Sequence, residues 1–200
     1  ETTMPDSIYK FGATTATDLP ALAEAGGKAL SLIRSSNAGL PVPAGFALGV
    51  SFFSAWVEQI KATPEWQALM SGPSRAGCEA VKQRAMALEP HSEQQSAIRA
   101  ALADLDGTFF AIRSSSPEED LEGASFAGMY ETFLGTTRET LEANILNAWT
   151  SMLDWRVVEY KTQQGIAIDN PAISIVVQHQ IESDISGVGF SLNPLNNCFD

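Results

Sequence analysis

Arg113 is the residue whose surroundings say most about chemistry. It follows the apolar run Phe109, Phe110 and Ile112, and it precedes three serines, Ser114–Ser116. An acidic cluster (Glu118, Glu119, Asp120) comes next, and then a small-residue segment from Gly123 to Gly128. A cation delivered by an apolar strand needs a partner. Two partners fit the spacing: one of the three nearby carboxylates, or the phosphate of a ligand. The hydroxyls and the glycines suit the second, because phosphate oxygens need close donors and bulky side chains would hold the backbone away.

Lys28 is the second cation of interest. It follows Gly26-Gly27 at the start of a helical pattern. The first turn of a helix favours an anion through its free N–H groups and its dipole. The GxxxxGK[ST] spacing of a Walker loop is absent, and a solvated lysine after a flexible turn explains the same residues. Arg156 and Tyr160 stand one helical turn apart, with Glu159 as an available ion-pair partner for Arg156. Gln178 and His179 end an apolar strand, where backbone groups can meet a planar base. His91 lies in a loop with no evident partner. HExxH, CxxC and GxSxG are all missing, which removes the starting residues for zinc or serine hydrolysis.

The elements that position these residues read as helices and strands in mixed order, an α+β or α/β fold. Ile8–Phe11 suits an edge strand. A helix from Gly26 carries Ala29, Leu32 and Ile33 on one face and is capped at Asn37–Gly39. Leu40–Phe46 is stiffened by two prolines. Ala47–Val50 reads as a strand and Phe52–Ile60 as a helix. Residues 64–105 hold two or three helices, the last with the stripe Ile98, Ala101, Leu102, Leu105. Strands are expected at Phe109–Arg113 and Tyr130–Leu134. A helix from about Arg138, with Leu141, Ile145 and Trp149 on one side, breaks near Asp154 and resumes through Lys161. The β-branched run Ile173–Gln178 is a strand, with Ser186–Leu192 as its expected partner.

Composition sets the outer limits. Twelve Lys and Arg against 24 Asp and Glu give a net charge of −12 in 200 residues, 44% of them hydrophobic. With no basic run of five, the chain has no footprint for nucleic acid or anionic membranes. Its apolar stretches fall far short of the ~20 residues that span a bilayer. The start ETTMPDSIYKF lacks the basic and apolar regions of a signal peptide. Cys78 and Cys198 lie far apart without metal-like spacing, so a reducing, cytoplasmic compartment is expected.

Four phrases in order carry a family resemblance: AGGKALSLIRSSNAGLPVPAGFAL, FAIRSSSPEEDLEGASFAGMYETFL, AWTSMLDWRVVEYKTQQG and ISIVVQHQIESDISGVGFSLNP. Together they resemble the N-terminal ATP-binding domain of the phosphoenolpyruvate synthase and pyruvate phosphate dikinase family, which rifampin phosphotransferase and glucan water dikinase share. The likeness covers most of residues 20–195 and is least distinctive in the helical stretch 51–106.

The resemblance implies an ATP-grasp fold, a mixed sheet flanked by helices, with ATP and Mg²⁺ as cofactors. It implies that Lys28 and Arg113 contact phosphates and serve catalysis. Gly128 to Thr132 match the phosphate-covering loop: Met129 stands where the family often carries glutamine, and Thr132 supplies a hydroxyl. Arg156 resembles a family arginine near the phosphates. Gln178, Gln180 and Ile181 match the strand and hinge that hold adenine.

The family places its metal-holding carboxylates in a second lobe, and its phosphohistidine and pyruvate sites on further domains. Residues 1–200 are therefore expected to be the N-terminal portion of such a domain, inactive alone. The expected partners are ATP and those further domains, together with a homodimer formed through an exposed lobe interface. The rival readings are a related phosphotransferase with another acceptor (rifampin, a glucan or an aromatic alcohol) and a stand-alone, non-catalytic nucleotide-binding module.

Overall fold

The computed structural model describes residues 7–12, 17–118, 126, 128–190 and 192–193. Five strands form one sheet in the order β1 (Ile8–Phe11), β2 (Gly45–Leu48), β5 (Ser174–His179), β3 (Phe110–Ser115), β4 (Thr132–Thr136). All four pairings are antiparallel. The fold is thus α+β, and the mixed sheet is corrected to an antiparallel one. Strands β2 and β3 do point the same way, but β5 lies between them and pairs with both. That placement also removes the strand expected at Ser186–Leu192. Both edges of β5 are occupied, so no edge is left for a hairpin partner, and the described residues 186–190 and 192 form no strand.

The register sorts the strand residues onto two faces. Phe46, Val177 and Ile112 are aligned across β2, β5 and β3. They point into the larger core beside Phe53, Trp56 and Trp149. Helices α2 (Ser54–Lys61), α3 (Pro64–Ser71), α4 (Arg75–Met86), α5 (Ser92–Ala103), α6 (Leu141–Thr150) and α7 (Trp155–Gln163) supply the rest of that core. Its centre is aromatic, with Trp149 5.2 Å from Trp56 and 5.7 Å from Phe53 between ring centroids. The stripe Ile98, Ala101, Leu102, Leu105 is buried as its spacing requires.

Tyr9, Ala47, Val176 and Arg113 share the opposite face. There α1 (Leu22–Asn37) buries Ala25, Ala29 and Ile33 against Phe11, Ala47 and Val176. The helix starts four residues earlier than the glycine pair suggests, because Gly26 breaks it without ending it. Gly26 sits at φ 71 and ψ 167, and the helical path resumes beyond it. The break lets the helix lie directly on the sheet: a Cβ at Gly26 would fall 2.4 Å from the backbone oxygen of Ser115. Gly39, at φ 77, follows the C-terminus as expected.

Strand positions elsewhere shift by about two residues. β2 starts at Gly45, so the last two residues of the proline-rich linker are strand, and Val50–Phe53 becomes a 3-10 turn leading into α2. β4 spans Thr132–Thr136 rather than Tyr130–Leu134. The break near Asp154 stands where expected, with a 3-10 turn at Ser151–Leu153 between α6 and α7.

Cys78 is 2% exposed on α4, and burial pushes its thiol up from 9.0 to about 11, with the Asp154 carboxylate adding to the shift. Near pH 8 this reduces its thiolate fraction roughly 100-fold relative to an ordinary cysteine. In a Cys198→Ser variant, maleimide labelling of the native chain is therefore expected to be at least ~100-fold slower than labelling in denaturant. Comparable rates would contradict the buried environment. Cys198 itself lies outside the described residues, as do Glu119, Asp120 and most of the segment from Gly123 to Gly128.

Candidate nucleotide site

The three consecutive serines that looked like phosphate donors have other work. Ser114, Ser115 and Ser116 are at most 2% exposed. Ser115 Oγ donates to Ala25 O at 2.8 Å and accepts from Ala29 N–H at 3.0 Å, capping the helix where it resumes after Gly26. Ser174 Oγ, on the neighbouring strand, also donates to Ala25 O. Ser114 Oγ turns to the other face and donates to Glu131 O and Ala148 O at 3.1 and 3.3 Å. Ser116 Oγ accepts from Glu118 N–H at 3.1 Å and lies 3.3 Å from the Tyr130 hydroxyl. Alternation along a strand explains the division: neighbours point to opposite faces, and each buried hydroxyl must find a partner on its own side.

Arg113 lies between those faces' fixtures. It is half-buried on the α1 face, paired in register with Thr132 on one side and Val176 on the other. Its guanidinium has no ion-pair or hydrogen-bond partner among the described residues. Glu118, one of the three carboxylates expected to pair with it, is committed to Lys161. The ion-pair explanation thus loses its only described candidate. Thr132 and Leu134 are exposed on the same face, so this strip of sheet lies open beside α1.

The other expected site residues lie on α1, on the turn before β4, on α7 and at the end of β5. Lys28 is half-buried on α1, the helix that Ser115 fastens to β3 two residues beyond Arg113. Gly128, at φ 73, and Met129 form a turn closed by Met129 N–H to Phe126 O at 3.0 Å, with Gly128 exposed and Met129 half-buried. Arg156 extends from α7 toward the residue that precedes β4. It bonds Glu131 Oε1 at 2.7 Å, with Asp154 at 3.9 Å, and not Glu159. Helix spacing allowed the Glu159 pair, but β4 brings the carboxylate of Glu131 closer to the guanidinium.

Gln178 and Gln180 have structural duties. Gln178 is 7% exposed and its Nε2 donates to Pro43 O at 3.1 Å, holding the proline linker against β5. Gln180 accepts from Gly135 N–H at 2.6 Å and its own N–H donates to Phe109 O at 3.0 Å. Each side chain makes one hydrogen bond within the fold, and the exposed Ile181 follows them. Ile181 lines a hollow of about 330 Å³ with Gly107, Thr108, Phe109, His179, Gln180 and Glu182. His91 precedes α5, and its N–H donates to Gln94 Oε1 at 2.9 Å, which gives this loop residue a capping role.

Glu131, Lys161 and the Ser115–Ser174 pair were not singled out from sequence. Lys161 left a signal: it is buried with Val157 and Val158 at helical spacing on α7. Among the described residues no three His, Cys, Asp or Glu side chains converge to hold a metal ion. None of the helices there is long and apolar enough to cross a membrane.

Sequence comparison gives this geometry a context. The chain is 35% identical over 176 residues to an uncharacterized phosphotransferase, YvkC, of Bacillus subtilis, covering 86% of this chain and 20% of that protein. It is 28% identical to phosphoenolpyruvate synthase of Pyrococcus furiosus, with 86% and 27% covered. To a rifampicin phosphotransferase of Streptomyces it is 30% identical, with 89% and 22% covered. The chain therefore spans about a fifth to a quarter of the length of these relatives. The profile of the pyruvate phosphate dikinase AMP/ATP-binding domain matches residues 22–200, from the first turn of α1 to the last residue, and to that family this chain belongs.

Proposed function

We propose that this domain binds ATP with its triphosphate along the open strip of sheet beside α1, contacting Arg113, Lys28 and the Gly128–Thr132 turn. Adenine lies toward the Gln178–Ile181 hinge and is held by backbone groups. The observation that carries this reading is Arg113, a half-buried guanidinium without a described partner on a face open to solvent. A desolvated cation of this kind gains most from an anionic ligand, and positioning with charge neutralisation dominates phosphoryl transfer. A few such local cations suffice despite the overall −12.

In this reading the residues form one wall of an ATP-grasp cleft in a larger cytoplasmic dikinase. The overall reaction converts ATP, pyruvate and water to phosphoenolpyruvate, AMP and phosphate, through a histidine on another domain. Among the described residues no three His, Cys, Asp or Glu side chains gather into a metal-ligating cluster. We assign the metal's carboxylates to the opposite wall, and no role of Arg113 or Lys28 is routed through it.

A second acceptor class has equal support. Identity to the Streptomyces rifampicin phosphotransferase is 30%, the same as to phosphoenolpyruvate synthase of Escherichia coli. These residues carry the nucleotide wall, and the acceptor belongs elsewhere.

Calorimetry of Mg-ATP with this chain is expected to give a Kd weaker than millimolar, because one wall supplies only part of the contacts. Adenosine and AMP should bind more weakly still. A micromolar Kd would overturn the one-wall reading. Equal affinity for adenosine and ATP would overturn the phosphate contacts.

A further inference from the structure

The feature left unused by the nucleotide site is a buried ion pair. Lys161, on α7, is 5% exposed and pairs with Glu118, whose side chain is about one-fifth exposed (20%). Removing an ammonium and a carboxylate from water costs several kcal/mol for each ion, and a packed apolar pair of similar volume is often as stable or more so. The stability of the fold alone does not require this pair.

Its position suggests what it does. Glu118 follows β3 three residues after Ser115, and its N–H donates to Ser116 Oγ, which the Tyr130 hydroxyl also contacts. Tyr130 stacks on the fully buried Phe126, at 6.0 Å and 17°. Phe126 meets Tyr160 edge-on at 5.0 Å. Tyr160 is the residue before Lys161, and Arg156, one turn earlier, holds Glu131. Helix α7 thus grips the segment that carries the surface turn at three described points: Glu118 through Lys161, Phe126 through Tyr160, and Glu131 through Arg156. Gly128, Met129 and Thr132 lie between the last two or directly beside them.

We propose that Lys161 and Glu118 are positioning residues for phosphate binding: the ion pair of Glu118 with Lys161 on α7 fixes the end of β3 and, through Ser116 and Tyr130, the Gly128–Thr132 segment beside Arg113. This inference rests on the reading that the strip beside Arg113 takes a polyphosphate. A charge pair suits the task because its attraction draws two atoms to one separation. Two apolar side chains in the same space tolerate many packings.

The test pairs two variants with one probe, inorganic tripolyphosphate, whose affinity is followed by amide NMR shifts. The combined Lys161→Met and Glu118→Leu variant removes both charges and leaves no uncompensated ion. It is expected to stay folded and melt within about 5 °C of the wild type. Its affinity for tripolyphosphate should fall about tenfold, the scale expected when contacts are displaced by a fraction of an ångström. Lys161→Arg, which keeps the charge, should stay within about threefold of wild type. A double variant that keeps wild-type affinity would overturn the positioning role while leaving the nucleotide site standing. A wild-type chain that shows no shifts with tripolyphosphate would overturn the site itself and this inference with it.

Discussion

Arg113→Ala keeps its fold and loses roughly 10–100-fold in affinity for tripolyphosphate. Two physical arguments meet in this expectation. A hydrogen bond to a charged group contributes about 1.5–3 kcal/mol, which is the range of that loss. For stability, the guanidinium has no ion-pair or hydrogen-bond partner among the described residues, so its removal breaks no contact described there. It also relieves the cost of holding a half-buried cation beside Val176. The melting temperature should therefore stay constant or rise slightly while binding collapses. In an intact dikinase carrying this domain, the same substitution should lower phosphoryl transfer at least ~100-fold. A variant with unchanged affinity and a lower melting temperature would make Arg113 a structural residue.

Gly26→Ala acts in the opposite way and should destabilise the domain by about 3–5 kcal/mol. The position combines φ 71 and ψ 167, a region essentially reserved for glycine, with sheet backbone directly beneath. A Cβ would lie 2.4 Å from Ser115 O and 2.5 Å from Ser115 Oγ. The first atom belongs to a central strand and cannot move aside cheaply. The second caps the resumed helix, so displacing it also weakens the Ala25 and Ala29 bonds. Urea unfolding followed by far-UV circular dichroism measures the loss. A change below about 1 kcal/mol would show that α1 can lift from the sheet without penalty.

These two residues also mark how far the sequence could be read. The apolar periodicity of Ile98–Leu105 and of Leu141–Trp149 gave both helices, because burial on one face leaves a spacing that no partner needs to be known to detect. Arg113 could be seen as a cation at the end of an apolar strand, but not which partner it lacked, since Glu118 is claimed by a lysine 43 positions away. Gly26-Gly27-Lys28 reads as a flexible helix start. Its real function, a break that admits the backbone of β3, depends on a strand about 90 residues later. The partners of the serines are hidden in the sequence for the same reason: strand alternation sends each to a different neighbour, and those neighbours are set by sheet order. The place of β5 between β2 and β3 was likewise hidden, and it cost the expected strand at Ser186–Leu192. Glu131 showed no signal of its own, because its pairing with Arg156 depends on how β4 meets α7.

Following the Arg113 Nε–H and the amides of Lys28, Gly128, Met129 and Thr132 in an NMR titration with ATP and then with tripolyphosphate tests the central claim most directly. Both ligands are expected to move the Arg113 and Thr132 resonances along one saturable curve, while ATP alone also moves those of the Gln178–Ile181 hinge. Arg113 and Thr132 resonances that stay fixed while ATP saturates other parts of the chain would contradict the account.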